Sequence, residues 1–343
     1  MTAENNRLRE WLAASGGRAT VAQFMAAALY HPEFGYYTRH IRAVGRAGDF
    51  STSATLHPLL ARAVARWLVE YGALTLGRGA WAVIEIGAGT GELALTVRNC
   101  LPLTARWRTR WHVVETSPVL RARQQELLGK NARWHDTVAD ALSACGGRAL
   151  IYSNELADAF PCAQLVRRGE AWRELFLVAD GDAVREAEGE IASRFDPRDF
   201  SVLRQPAADG QRVELHETYR AWQAAWLPRW RRGALLTVDY GDAAAHLYAR
   251  RPRGTLRAYF HHQRLEGAEV YQRMGRQDVT ADVNFSDLQA WGEAAGCRTD
   301  FFQTQAEFIT SRVPPAASDA EKFLLHPAGA GTAFKALGMS KNQ

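Results

Sequence analysis

The sequence predicts an α/β fold: a doubly wound, mostly parallel Rossmann-like sheet with an N-terminal helical cap and an inserted α+β subdomain. Three observations carry this. An apolar run, Trp81 to Ile86, passes through Gly87-Ala88-Gly89-Thr90-Gly91 into a helical pattern from Glu92 to Cys100. Strand and helix then alternate to residue 153, the rhythm of parallel strands covered on both faces. Ala234 to Gly241 is a further buried strand that ends in polar groups.

The elements follow in order. Leu8, Trp11 and Leu12, then Val21, Phe24, Met25 and Ala28, keep a helical spacing broken at Gly16-Gly17. Tyr30 to Tyr37 is aromatic and turn-forming, Gly48 to Ser53 is a polar loop, and Leu56 to Tyr71 is helical again. After the glycine loop come a strand at 111–115, a helix at 118–128, and strands at 131–135 and 149–153. Residues 164 to 205 read as paired strands with charged turns, and 219–232 as a helix rich in tryptophan. The expected divisions are a cap and loop at 1–74, a first core part at 75–163, an insertion at 164–232, and a second core part with a tail at 233–343.

Composition narrows the function classes. The 343 residues suffice for a large core, and no apolar run approaches the ~20 residues of a membrane span. Four of the 42 basic residues are lysines and the rest arginines, spread along the chain with a net charge of +5, so no nucleic-acid tract is expected. Four scattered cysteines and a polar start from Met1 to Glu10 point to a reducing, cytoplasmic setting without a disulfide framework. No CxxC or third histidine is spaced for a metal, so none is expected.

The glycine loop is the sharpest local signal. A dinucleotide fingerprint places glycine at spacing GxGxxG, but position 92 here is Glu92. The GxGxG pattern of Gly87, Gly89 and Gly91, preceded by Glu85, suits S-adenosyl-L-methionine, whose zwitterionic methionine end must be seated. Glu115 closes the next strand, where a carboxylate accepts hydrogen bonds from ribose hydroxyls, and Asp136 follows the third strand. The plainer reading is a tight strand–helix turn beside ordinary surface acids.

Longer motifs extend along the chain: Leu29 to Tyr37 (LYHPEFGYY), Gly48 to Ser53 (GDFSTS), His112 to Pro118, Ser153 to Pro161, Val238 to Gly241, Gly254 to Tyr259, Gln277 to Ala281, and a tail around 323–337. In that order they resemble the MidA-like family of class I methyltransferases, which includes the mitochondrial arginine methyltransferase of respiratory complex I assembly. The resemblance implies a class I methyltransferase sheet, S-adenosyl-L-methionine as cofactor, S-adenosyl-L-homocysteine as product, and a protein arginine as acceptor. There are departures. Leu156 and Ala157 stand where the family has two aromatics, and Asp282 and Asn284 where it has histidine and aspartate.

The acceptor would lie beyond the carboxyl ends of the strands. Asn154 is expected at the cofactor, and Glu155 and Asp158 as a pair gripping a guanidinium fork. The alternatives are a turn cap for Asp158 and a surface ion pair for Glu155. Asp239 and Tyr240 end the later core strand on the same side, as acceptor contacts or turn formers. The family's Ala-Tyr-x-x-His pattern selects His262 as a titrating group, against an ordinary loop histidine. Asp49 and Thr52 either close over the methionine end or cap the following helix. Trp222, Trp226 and Trp230 recur on one helical face and are expected to dock that helix on its own domain. The expected partners are a protein or small-molecule acceptor and a second copy of the chain. The competing functions are a small-molecule O- or N-methyltransferase and a non-catalytic assembly factor.

Overall fold

The computed structural model describes residues 3–40, 58–181, 183–261, 263–314 and 330–342, with Lys322, Leu325 and His326. Asp49, Thr52 and His262 lie outside the described residues. Helix α1 (Ala3–Ala14) stops at Gly16-Gly17, and strand β1 (Arg18–Thr20) leads into helix α2 (Val21–Tyr30). A capping box starts α2. The Thr20 hydroxyl accepts from the Gln23 N–H at 3.1 Å, and the Gln23 side chain accepts from the Thr20 N–H at 2.8 Å. The helix ends where His31, preceding Pro32, turns extended. Tyr30 and Tyr37 thereby reach the cavity described below.

Helix α3 (Leu59–Tyr71) buries Leu60, Val64, Trp67 and Leu68. The first core half runs β2 (Trp81–Ile86), α4 (Glu92–Cys100), α5 (Leu103–Arg108), β3 (Thr109–Val114), α6 (Pro118–Leu128), β4 (Ala132–His135), α7 (Val138–Ala144) and β5 (Arg148–Asn154). The insertion follows with β6 (Ala163–Arg168), β7 (Ala171–Asp180), β8 (Ala183–Glu190), β9 (Arg212–Leu215) and helix α8 (Glu217–Trp226). Pro228 stops α8 short of the expected span. The chain re-enters the core with β10 (Arg232–Asp242). Helix α9 (Ala244–Leu247) and a small antiparallel sheet of β11 (Arg257–Phe260), β12 (Gln263–Leu265) and β13 (Asp278–Thr280) come next. Then β14 (Val283–Asn284), α10 (Phe285–Ala294), β15 (Arg298–Thr304), α11 (Gln305–Thr310), α12 (Ala330–Ala333) and β16 (Phe334–Asn342) complete the described elements.

The core sheet has the order β15-β16-β10-β5-β2-β3-β4, with β14 off the path beside β10. All pairings from β10 across to β4 are parallel, while β16 runs antiparallel to both of its neighbours. Both faces are buried. Along β2, Trp81 and Val83 pack under α3 and α4, while Ile84 and Ile86 pack with α7, Trp226 and Trp230 on the other side. Each such large side chain contributes about 1.5–3 kcal/mol of burial.

Two features differ from the sequence reading. The cap is not purely helical: β1 pairs with β7 and completes the insertion's sheet, in the order β1-β7-β6-β9 with β8 beside β7. Residues 257–280, read as core, form the separate small sheet, which packs with α2 in one apolar cluster.

Gly241 lets β14 approach β10. Its φ is 144°, and a Cβ there would stand 2.0 Å from the Val283 carbonyl oxygen. Gly241→Ala therefore lowers the unfolding free energy by about 1–3 kcal/mol, read from urea midpoints. Gly79→Ala, at a position with nothing within 4 Å, shifts it by less than about 0.5 kcal/mol.

Candidate active site

The glycine loop at the carboxyl end of β2 takes three left-handed residues, Gly87, Gly89 and Gly91, at φ 66°, 54° and 86°. At Gly87 a Cβ would stand 2.7 Å from the tip of Leu156, at Cδ1, and the positive φ there is one that glycine adopts without strain. The loop opens onto a cavity of about 590 Å³. Glu85, Gly87, Gly89, Glu115, Asp136 and Asn154 line this cavity. Gly91 is the N-cap of α4, beneath the loop.

Glu115 is buried and held from two sides. One carboxylate oxygen accepts from the Ser117 N–H at 2.8 Å and the other from Gln124 Nε2 at 2.9 Å. The same Gln124 nitrogen donates to the Gly89 carbonyl at 2.8 Å, and Trp134 Nε1 donates to Gln124 Oε1 at 3.1 Å. Gln124 therefore ties the loop to the Glu115 carboxylate. A glutamine inside an otherwise polar helix gave no local signal of that role. Asp136 sits on the rim in an ion pair with Arg121. Glu85 is buried and accepts from the Tyr152 hydroxyl at 2.7 Å.

The opposite end is built by the turn after β5. Glu155 is non-glycine at φ 51°, a left-handed conformation that stores backbone strain. Its N–H donates to the Val238 carbonyl at 2.9 Å, and Asn154 Nδ2 donates to its carboxylate at 3.0 Å. Glu155, Asp158 and Tyr240 all line the cavity. Asp239 does not. One of its oxygens accepts from the backbone N–H of Leu156, Ala157 and Asp158 at 3.0, 2.8 and 3.4 Å; the other accepts from Tyr240 N–H at 2.8 Å. It is fully buried behind the turn, so the structure makes it an anchor and not an acceptor contact.

Asp282 and Asn284 also serve the frame. Asp282 pairs with Arg251 and with the buried Arg257. Arg257 in turn donates from Nε to the Tyr259 hydroxyl at 3.0 Å and lies 5.1 Å from the Tyr240 ring centre. Asn284 caps α10 and donates to Ser201 Oγ.

Sequence reasoning assigned no role to several wall residues, Tyr30, Tyr37, Phe160, Tyr259 and Asp278, and expected Trp222 to be packing alone. Tyr30 and Tyr37 stack at 5.7 Å between ring centres. Trp222 meets Phe160 at 5.1 Å and faces the cavity, whereas Trp226 and Trp230 are buried in the core. The lining includes Glu85, Glu115, Glu155, Asp158 and Asp278, and among the described residues it contains no Lys, Arg or His. Such a wall attracts cationic ligands. Among the described residues, no group of three or more His, Cys, Asp or Glu is placed to hold a metal ion.

Burial pushes Glu85 from 4.5 up to about 8, with the Tyr152 hydrogen bond opposing the rise. The native state therefore keeps a proton that the unfolded chain has lost. The resulting stabilisation is complete below the unfolded pKa of 4.5 and is lost as pH rises through about 8. Glu85→Gln removes this titration, so urea-derived stability falls less between those pH values than in the wild type. An unchanged slope would place the proton elsewhere.

Comparison with known proteins agrees with this geometry. A family profile described as a putative S-adenosyl-L-methionine-dependent methyltransferase matches residues 59–303, more than half of the chain. The chain is 26% identical over 333 residues to the Caenorhabditis elegans protein arginine methyltransferase NDUFAF7 homolog, mitochondrial, covering 83% of this chain and 71% of that protein. The mouse NDUFAF7 protein is 25% identical, with 80% of this chain and 66% of that protein covered. A COG1565 superfamily member from Burkholderia thailandensis, crystallised with S-adenosyl-homocysteine, superposes with a TM-score of 0.84 at 27% identity over 99% of this chain and 92% of that one. The mitochondrial relatives overturn the expected cytoplasmic setting. The four cysteines, all free thiols here, speak only for a reducing milieu, which does not distinguish one compartment from another. Among the described residues no helix is long and apolar enough to cross a membrane. With its glycine cradle and strand-end carboxylate in place, the chain belongs to the S-adenosyl-L-methionine-dependent methyltransferase family.

Proposed function

We propose that this methyltransferase acts on the guanidinium of an arginine in a protein substrate. The observation that supports it best is the pairing of Glu155 and Asp158 on a single strained turn, in a wall that carries carboxylates and aromatic rings. A planar cation fits such a wall through bidentate hydrogen bonds and stacking. The names of the relatives, protein arginine methyltransferases, agree with the reading.

The cofactor supplies an electrophilic methyl group on a sulfonium sulfur. In this reading the loop at Gly87 and Gly89, the protonated Glu85 and the Glu115 side chain hold it, with Asn154 lining the same cavity. Glu155 and Asp158 turn one guanidinium nitrogen toward the methyl carbon, and positioning of this kind supplies most of the rate. The nitrogen forms the new N–C bond as the S–C bond breaks and its electron pair returns to sulfur. One N–H proton must then leave. Burial, with Asp239 and Asp278 beside it, raises the pKa of Asp158 well above the usual carboxylate range; the charge of a bound guanidinium opposes that rise, so Asp158 ionises when the acceptor is seated and takes up the proton as the nitrogen is methylated.

Two variants separate binding from transfer. Glu155→Gln keeps S-adenosylhomocysteine affinity within about twofold and loses at least about 100-fold in turnover. Glu115→Ala loses about tenfold or more in that affinity. The assay incubates cell extract with labelled S-adenosylmethionine and looks for label released as methylarginine from hydrolysed protein. Label confined to a small-molecule fraction would overturn the protein-arginine reading.

A further inference from the structure

We propose that Asp278 is a third acceptor-binding residue, which faces the turn bearing Asp158 and shares the grip on the guanidinium. The inference rests on the arginine reading and adds a residue from a different part of the fold. Strand β13 places Asp278 and Thr280 on one face by its two-residue alternation, and both line the cavity, while Val279 between them is buried in the cluster around α2. In the register of the small sheet, Tyr259 of β11 stands opposite Asp278 and also lines the cavity. Tyr259, Asp278 and Thr280 are thus turned together toward the acceptor end.

Two hydrogen bonds fix Asp278 relative to the rest of the site. The Tyr37 hydroxyl donates to its Oδ1 at 2.8 Å. Just beyond β13, the Ala281 N–H donates to the carbonyl of Asp158 at 3.0 Å, so the strand and the acceptor turn are joined directly. Asp158 and Asp278 are both nearly sealed from bulk water, at 5% and 3% exposure. Carboxylates in such a setting disfavour each other's ionisation unless a cation sits with them. Arg257 acts on Asp158 as a positive charge, and it is itself paired with Asp282. A guanidinium entering the cavity would meet Asp158 and Asp278 together, with the Tyr30, Tyr37 and Tyr259 rings around it.

The test uses the full chain loaded with S-adenosylhomocysteine, and N-acetyl-arginine amide as probe, followed by ligand-observed NMR. The wild type is expected to bind the probe and to ignore the neutral N-acetyl-citrulline amide. Asp278→Asn is expected to weaken probe binding at least tenfold while S-adenosylhomocysteine affinity stays within twofold, which also shows that the variant is folded. Tyr37→Phe, which removes the orienting hydrogen bond and keeps the charge, is expected to weaken it about threefold. Undiminished probe binding by Asp278→Asn would overturn this assignment and leave the arginine reading standing. A wild type that binds neither probe would overturn the arginine reading and this assignment together.

Discussion

The site depends on one buried carboxylate. Asp239 collects the N–H groups of Leu156, Ala157 and Asp158 on one oxygen and that of Tyr240 on the other. Backbone amides at a turn are strong donors that would otherwise be left unpaired next to a cavity, and an acceptor carrying charge satisfies several at once. The same bonds hold Glu155 in its left-handed conformation, which a single residue would leave readily if unconstrained. Because Asp239 belongs to β10 and the turn follows β5, its grip welds two adjacent parallel strands at their carboxyl ends. Glu155, Asp158 and Tyr240 on the cavity wall are referenced to that weld.

Around it the protein segregates charge. Arginine is abundant in the sequence, yet described arginines near the cavity are engaged with acids, Arg257 and Arg251 with Asp282 behind its wall and Arg121 with Asp136 at its rim. The carboxylates are left to the interior face, where desolvation strengthens each interaction with an incoming cation. The sulfonium of S-adenosylmethionine and the guanidinium proposed as acceptor are both cations, so one field would serve both. The aromatic rings add flat surfaces without adding charge.

Much of this was legible in the residues. The cofactor half follows from a contiguous pattern, in which strand, glycines, helix and strand-end acid follow one another within 35 positions, so local spacing carries the geometry. The acceptor half does not. Tyr37, Glu155, Tyr240, Tyr259 and Asp278 come from five separate segments, and no short-range periodicity signals that they meet. Asp239 illustrates the limit: its place at a strand end is visible, but whether it faces ligand or backbone depends on which amides surround it. The strand Phe334–Asn342 escaped notice for another reason. It is buried along nearly all its length and interrupted by Gly338, over which the Phe301 ring lies too close for any Cβ, so it shows neither alternation nor a clean apolar run.

The pairing of β1 with β7 has a consequence for how the molecule assembles. Arg18 finds Val178, and Thr20 finds Phe176, across a long stretch of intervening chain. The helix launched from β1 then delivers Tyr30 and Tyr37 to the cavity. Contacts so remote in sequence form late and slowly, because the loop must be closed before they can stabilise anything. A partly folded chain can shape its glycine loop from neighbouring residues, but it has no wall of tyrosines until the two ends of that long loop meet. Methyl transfer by this protein is therefore a property of the finished fold, and its appearance during refolding reports the closing of contacts that are distant in sequence.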